Sequence, residues 1–244
     1  LKFLHKMITV GHNYNNDPSW NKTWDTFFNI KSLTEQDFPS NHEMIHCNQV
    51  NIHDINYIAN TKNKIFSISL PFQVVDSAPN TYYKIIQDDI IRVYEESNKN
   101  RPLQLFKKNK INIALHIRVI NHCDDEAEIK HFENLNGRFE IHDHEYISLI
   151  NKLRKLFPYS DVHIFSQPNI FKKYKSVLEL DNIYLHLDTD AMDTFHHLCR
   201  ADILVIAKSS FSYLAGIYNK NKVIYIPFHH PPLEEWESIR NYIN

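Results

Sequence analysis

From residue 111 onward, short apolar runs rich in β-formers alternate with amphipathic stretches of helical period. INIALHI (111–117), VHIF (162–165), IYLHL (183–187), ILVIA (203–207) and VIYIP (223–227) read as strands. After the first, Tyr146, Leu149, Ile150, Leu153, Leu156 and Phe157 fall at helical spacing. Residues 169–178, 191–200 and 210–218 read as further helices, and 233–243 as a closing helix behind Pro231-Pro232. ILVIA and VIYI are apolar on both faces, as parallel strands covered by helices must be. Right-handed crossovers then build a doubly wound α/β sheet, a Rossmann-like layer sandwich. Ligands of such sheets bind outside the carboxyl ends of the strands, so chemistry is sought just after each strand.

The first half is less regular. KMITV (6–10) and KIFSISL (64–70) read as strands, and 80–97 as a helix with Tyr83, Ile86, Ile90 and Val93 on one face. Between them lies an aromatic, loop-rich region with Trp20, Trp24, Phe27 and Phe28. A chain of 244 residues holds one large domain or two small ones. The change of pattern predicts a smaller α/β domain over 1–107 and a Rossmann-like domain over 108–244, joined at KKNK (107–110).

What the chain lacks excludes several classes. It has 3 glycines, Gly11, Gly137 and Gly216, so neither a G-x-G-x-x-G dinucleotide loop nor a Walker A loop is present. A net charge of -2 gives no nucleic-acid footprint and no polybasic membrane patch. Cys47, Cys123 and Cys199 are odd in number and far apart, which excludes a disulfide framework and a thiolate zinc site and fits a reducing compartment. No apolar run approaches the roughly 18 residues of a membrane span, and the opening LKFLHKMITVGHNY is too short and too interrupted for a signal peptide. The expectation is a cytoplasmic protein without an integral membrane segment. Of the 16 histidines, most are expected at the surface, since no H-E-x-x-H occurs and His196-His197 point apart on a helix.

Three post-strand segments carry candidate chemistry. His116-Ile117-Arg118 ends the first strand, and Arg118 offers a planar fork of donors for phosphate, or a partner for Asp124, Asp125 or Glu126. Lys208-Ser209-Ser210-Phe211-Ser212 opens a helix, either as plain capping or as an anion site made of helix N–H groups and the Lys208 charge. Asp188-Thr189-Asp190, with Asp193 beyond, reads as acids at a helix start, or as a D-x-D site for a divalent ion. A serine nucleophile lacks its G-x-S-x-G elbow.

HIR at a strand end and FHHLCRADILVIAKSSFSYLAGIYNKNKVIYIP together resemble the fucosyltransferase superfamily, in its α1,2 and α1,6 branches. The resemblance covers residues 111–230 and includes an intervening GRF…Y…SQP pattern. Short members of this kind are encoded by large DNA viruses and bacteria, and a virus-encoded enzyme acting in the host cytoplasm would suit the bias toward Asn, Ile and Lys. The family continues H-x-R-R-x-D, whereas this chain reads His116-Ile117-Arg118-Val119-Ile120-Asn121.

The resemblance implies a GT-B fold, two Rossmann-like domains facing across a cleft. The donor nucleotide would lie on the C-terminal domain and the acceptor mostly on the N-terminal one. It implies inverting, metal-independent transfer from a nucleotide-sugar donor, GDP-linked in preference to UDP-linked, to a glycan or glycoconjugate hydroxyl. No metal or other cofactor is implied. His116 and Arg118 would hold the donor diphosphate, Ser209 and Ser210 would grip phosphate, and Asp193 would lie by the ribose or base; Lys208 and Phe211 next to the serines are further donor-binding candidates. Glu126, ten residues after the motif histidine, matches the proposed base of the α1,6 branch, with Asp124 and Asp125 as runners-up. Arg138 in the loop before the long helix is a further donor-side candidate or a structural ion pair. Metal-dependent transfer through Asp188 and Asp190, and a non-catalytic nucleotide- or glycan-binding module, are the competing readings.

Overall fold

The computed structural model describes residues 23–24, 26–29, 76–119 and 141–243, and the strand backbones at 43–47 and 64–68. The chain divides into two compact units, Leu1–Arg101 and Pro102–Asn244. In the first, strands β1 (Glu43–Cys47) and β2 (Lys64–Ile68) pair in parallel. Helix α1 (Pro79–Asn98) starts on a proline, whose fixed φ suits a first turn. Its buried residues are Ile91, Val93, Tyr94 and Asn98, so the buried face is turned from the expected one: Val93 is shared, Tyr83 and Ile90 are half-buried, and Ile86 is exposed. The aromatic segment explains the shift. Phe27 packs edge-on against Tyr94 at 5.4 Å, and Asn98 Nδ2 donates to the Phe27 carbonyl at 2.7 Å, so the C-terminal half of α1 carries the burial. The expected strand at 6–10 lies outside the described residues.

The second unit is a six-stranded sheet with every adjacent pair parallel. Its strands are β3 (Ile111–His116), β4 (Ser160–Ser166), β5 (Ile183–Leu187), β6 (Ile203–Val205), β7 (Lys222–Tyr225) and β8 (Glu237–Ser238). The order across the sheet is β5-β4-β3-β6-β7-β8. The chain adds strands outward from β3 on one side, returns, and adds the rest on the other, which is the Rossmann order. Helices α2 (Asp143–Leu156), α3 (Lys175–Leu178), α4 (Ala191–Arg200) and α5 (Ser210–Tyr218) connect them. Tyr146, Leu149, Ile150 and Leu153 of α2 are buried on Ile113, Leu115, Val162 and Ile164 of the sheet. Leu156, at the end of the same pattern, is exposed.

Two expected helices are absent in the form expected. Residues 169–178 form a 3-10 turn (Pro168–Lys172) followed by the single turn α3. Asp143 supplies the reason: its carboxylate accepts from the N–H groups of Ser176 and Val177, both at 2.9 Å, so these donors are satisfied from outside. Residues 233–243 form β8 and a 3-10 turn (Ile239–Asn241). There Trp236 drops onto Gly216 of α5, where an added Cβ would stand 3.0 Å from its ring, and Glu237 is gripped by Lys222 and Tyr242. Those tertiary contacts draw the chain out as a sixth strand.

The histidines also depart from expectation. Among the described residues, His163, His196, His197 and His230 are buried. His163 Nδ1 lies 3.0 Å from His186 Nε2 across β4 and β5. Burial foremost, with the charge of neighbouring imidazoles, pushes both rings down to about 4. His197 accepts from the Leu105 N–H through Nε2 at 3.3 Å and donates through Nδ1 to the Asp193 carbonyl at 2.7 Å, which fixes a neutral ring.

Candidate functional site

A doubly wound sheet opens its crevice where the strand order reverses, here between β3 and β6. His116 is the last residue of β3, and α5 begins after β6 with Ser209 in the N-cap position. The His116 ring packs against Phe211 of α5 at 5.6 Å, so the two segments meet at the crevice. Phe211 also meets Phe195 of α4 edge-on at 5.5 Å. Thus the start of α5 meets the end of β3 on one side and the middle of α4 on the other.

The β3 side is braced by the neighbouring strand. The Ser166 hydroxyl donates to the Ile117 carbonyl at 2.7 Å, and Arg118 Nη1 donates to Gln167 Oε1 at 2.6 Å. A neutral amide oxygen therefore holds one arm of the guanidinium at the rim. His116 is half-buried, with its Nδ1 sealed from solvent and without a hydrogen-bond partner among the described residues. Burial first, and the Arg118 charge second, push the ring down to about 3, so it is neutral at physiological pH. A buried imidazole nitrogen with no partner is costly unless something satisfies it.

On the β6 side, Ser212 rather than Ser209 holds the turn. Its buried hydroxyl accepts from the Ala207 N–H at 3.0 Å and donates to the Ser209 carbonyl at 3.3 Å. Ser209 occupies the N-cap position, yet its side chain makes no cap bond. The helix start therefore keeps N–H groups that no serine side chain covers, beside Lys208. The exposed Ser210 hydroxyl lies 2.9 Å from His230 Nε2, on the segment after β7.

After β5, Asp190 caps α4, its Oδ1 accepting from the N–H groups of Met192 and Asp193 at 3.0 Å each. Asp188 sits in the left-handed region at φ 49. Asp190 and Asp193 serve the helix start, and among the described residues no group of three metal-ligating side chains is assembled. Asp193 follows in the first turn of α4, a helix that packs on β3 and α5.

The structure thus gathers His116, Arg118, Asp193, Lys208, Ser209, Ser210 and Phe211 on the carboxyl edge of one sheet. Asp124, Asp125, Glu126 and Arg138 lie outside the described residues. Ser166 and Gln167 brace the His-Ile-Arg segment, Ser212 the Ser209 turn and His230 the Ser210 hydroxyl; the motifs contain Ser166, Gln167 and Ser212 without giving them these roles, and nothing in the sequence singled out His230. An open cavity of about 390 Å³ lies elsewhere, at the start of α2, lined by His142, Asp143, His144, Lys173 and Tyr174. None of the expected site residues among the described ones lines it.

No protein-family model matches the chain, and no curated protein matches it. Among solved structures, UDP-GlcNAc 2-epimerase from Neisseria meningitidis bound to UDP-GlcNAc aligns at 13% identity and a TM-score of 0.34, over 92% of this chain. The alignment spans 50% of that enzyme's length. KpsC from Thermosulfurimonas dismutans, a β-Kdo 2,7 transferase, aligns at 11% identity and a TM-score of 0.38, over 93% of this chain and 86% of its own. At such scores neither bears on what this chain binds. The chain's own strand order defines its second unit as a parallel Rossmann-like sheet. No described helix is long and apolar enough to cross a membrane.

Proposed function

We propose that the protein is a GT-B type, inverting, metal-independent glycosyltransferase. It moves a sugar of the fucose kind from a nucleoside-diphosphate donor, GDP-linked by preference, to a glycan hydroxyl. One observation carries the reading. The His-Ile-Arg and Ser-Ser-Phe-Ser segments, which carry the sequence resemblance, meet through His116 and Phe211 at the crevice of the sheet.

In this reading Arg118, Lys208 and the start of α5 take up the charge that grows on the departing diphosphate. His116, a neutral ring whose Nδ1 lacks a partner among the described residues, is assigned to the donor side. Asp193 serves the nucleotide end. The acceptor oxygen attacks the anomeric carbon as the bond from that carbon to the diphosphate breaks, and the leaving group keeps the electron pair. The acceptor proton passes to a carboxylate, assigned to Glu126 with Asp124 and Asp125 next to it in sequence. Arg138 is assigned to the donor side, and acceptor recognition to residues 1–107. Asp190 is spent on its helix cap, which favours transfer without a metal over a D-x-D mechanism.

A thermal-shift panel of GDP, UDP and dTDP in EDTA tests this. At 100 times Kd the expected stabilisation is about 2.7 kcal/mol. A shift seen only with Mn²⁺ or Mg²⁺ would favour the metal-dependent reading. Nucleotide binding with no turnover of any donor would favour a non-catalytic module.

A further inference from the structure

His230 is a buried, tightly held ring beside the crevice. Tyr213 stacks on it at 4.8 Å, Phe228 meets it edge-on at 5.3 Å, and the Tyr225 hydroxyl donates to its carbonyl at 2.7 Å. Its Nε2 stands 2.9 Å from the hydroxyl of Ser210, the first residue of α5. Ser210 itself is exposed, whereas the imidazole that touches it is buried. A hydroxyl both gives and takes a hydrogen bond. Left alone at a helix start it would swing among rotamers, but an imidazole clamped by aromatic rings fixes where its oxygen stands.

We propose that His230 is a positioning residue, which donates from Nε2 into Ser210 Oγ and so turns the Ser210 O–H outward as a donor to the β-phosphate of a nucleoside diphosphate. The proposal rests on the nucleotide reading of the crevice. It has support beyond the helix terminus, because the same first turn of α5 packs on His116, whose buried Nδ1 lacks a partner among the described residues. The chain of donors runs one way, imidazole N–H to hydroxyl oxygen, hydroxyl proton to phosphate oxygen. An anion selects that direction, since only a hydrogen turned outward can meet it.

His230→Phe keeps a ring for Tyr213 to stack on and removes the donor. His230→Gln keeps an N–H near the position of Nε2 and removes the ring. GDP affinity measured by titration calorimetry should weaken about tenfold in His230→Phe, and by a similar factor in Ser210→Ala, the loss of one hydrogen bond to a charged group. The Ser210→Ala/His230→Phe double variant should be no weaker than Ser210→Ala alone. His230→Gln should recover most of the affinity even if its melting temperature falls, a pattern that a purely structural role cannot produce. If the wild type binds GDP and the two losses multiply, or if His230→Phe binds GDP as the wild type does, or if His230→Gln binds no better than His230→Phe, His230 does not position Ser210. If the wild type binds none of GDP, UDP or dTDP, the nucleotide reading falls and this assignment with it.

Discussion

His116 and Phe211 face each other where the strand order of the sheet reverses, with ring centroids 5.6 Å apart. The contact joins the last residue of β3 to the first turn of α5. It brings a neutral, partly unsatisfied imidazole beside a helix start that no serine side chain caps. A sheet of this order presents its ligands with a strand end on one side and helix N–H groups on the other.

Asp190 separates the metal-free account from its rival. Asp190→Ala removes the α4 cap and should lower stability by about 0.5–2 kcal/mol, while Asp190→Asn, itself a good cap, should restore it. In chemical denaturation the midpoint should follow that order. GDP affinity of both variants, measured in EDTA, should equal that of the wild type. Loss of GDP binding in Asp190→Asn, or its dependence on Mn²⁺, would return the metal to the mechanism.

Glu126 is assigned the proton of the acceptor hydroxyl. Glu126→Gln should bind donor normally and lose about 10²–10⁴-fold in turnover. Single-turnover rates read this directly. Wild-type turnover would move the role to Asp124 or Asp125.

The His163–His186 pair gives the fold an acid limit. Both rings sit at about 4 in the folded chain, against an ordinary 6.5. Below pH 6.5 the unfolded chain takes up protons that the folded chain refuses, so stability present at neutral pH is lost as pH falls toward about 4. His116, pushed down to about 3, adds to the same trend. The melting temperature should therefore fall between pH 6.5 and 5, before the carboxylates titrate. His186→Gln should flatten the fall. A melting temperature that is constant over that range in the wild type would contradict the assignment.

Much of the sheet was legible because each strand is a short apolar run with its own helix behind it. IYLHL, AMDTFHHLCR and SFSYLAGIY form the elements their periodicity implies, at Ile183–Leu187, Ala191–Arg200 and Ser210–Tyr218. The failures lie where a distant side chain overrides local pattern. Asp143 captures the Ser176 and Val177 N–H groups and leaves α3 a single turn, and Trp236 on Gly216 draws out β8 where a helix was expected. The site follows the same division. His116 and Arg118 could be read from a strand end, because position alone marks them. Gln167 and His230 could not, since each enters the site through a partner in a different segment, Arg118 and Ser210.

Arg118 tests the central claim most directly. It lies just past the end of β3 with one arm on Gln167, a bond whose loss removes little packing. If the crevice holds a diphosphate, Arg118→Ala should weaken GDP binding by about 30- to 1000-fold, roughly 2–4 kcal/mol for a charge-assisted forked contact. Its melting temperature without ligand should stay close to that of the wild type. Arg118→Lys should recover only part of the affinity, because a point charge cannot copy the planar fork. Calorimetric Kd and melting temperature measured on the same variant decide it. A large rise in Kd with an unchanged melting temperature is expected, and an unchanged Kd with a lowered melting temperature would contradict the account.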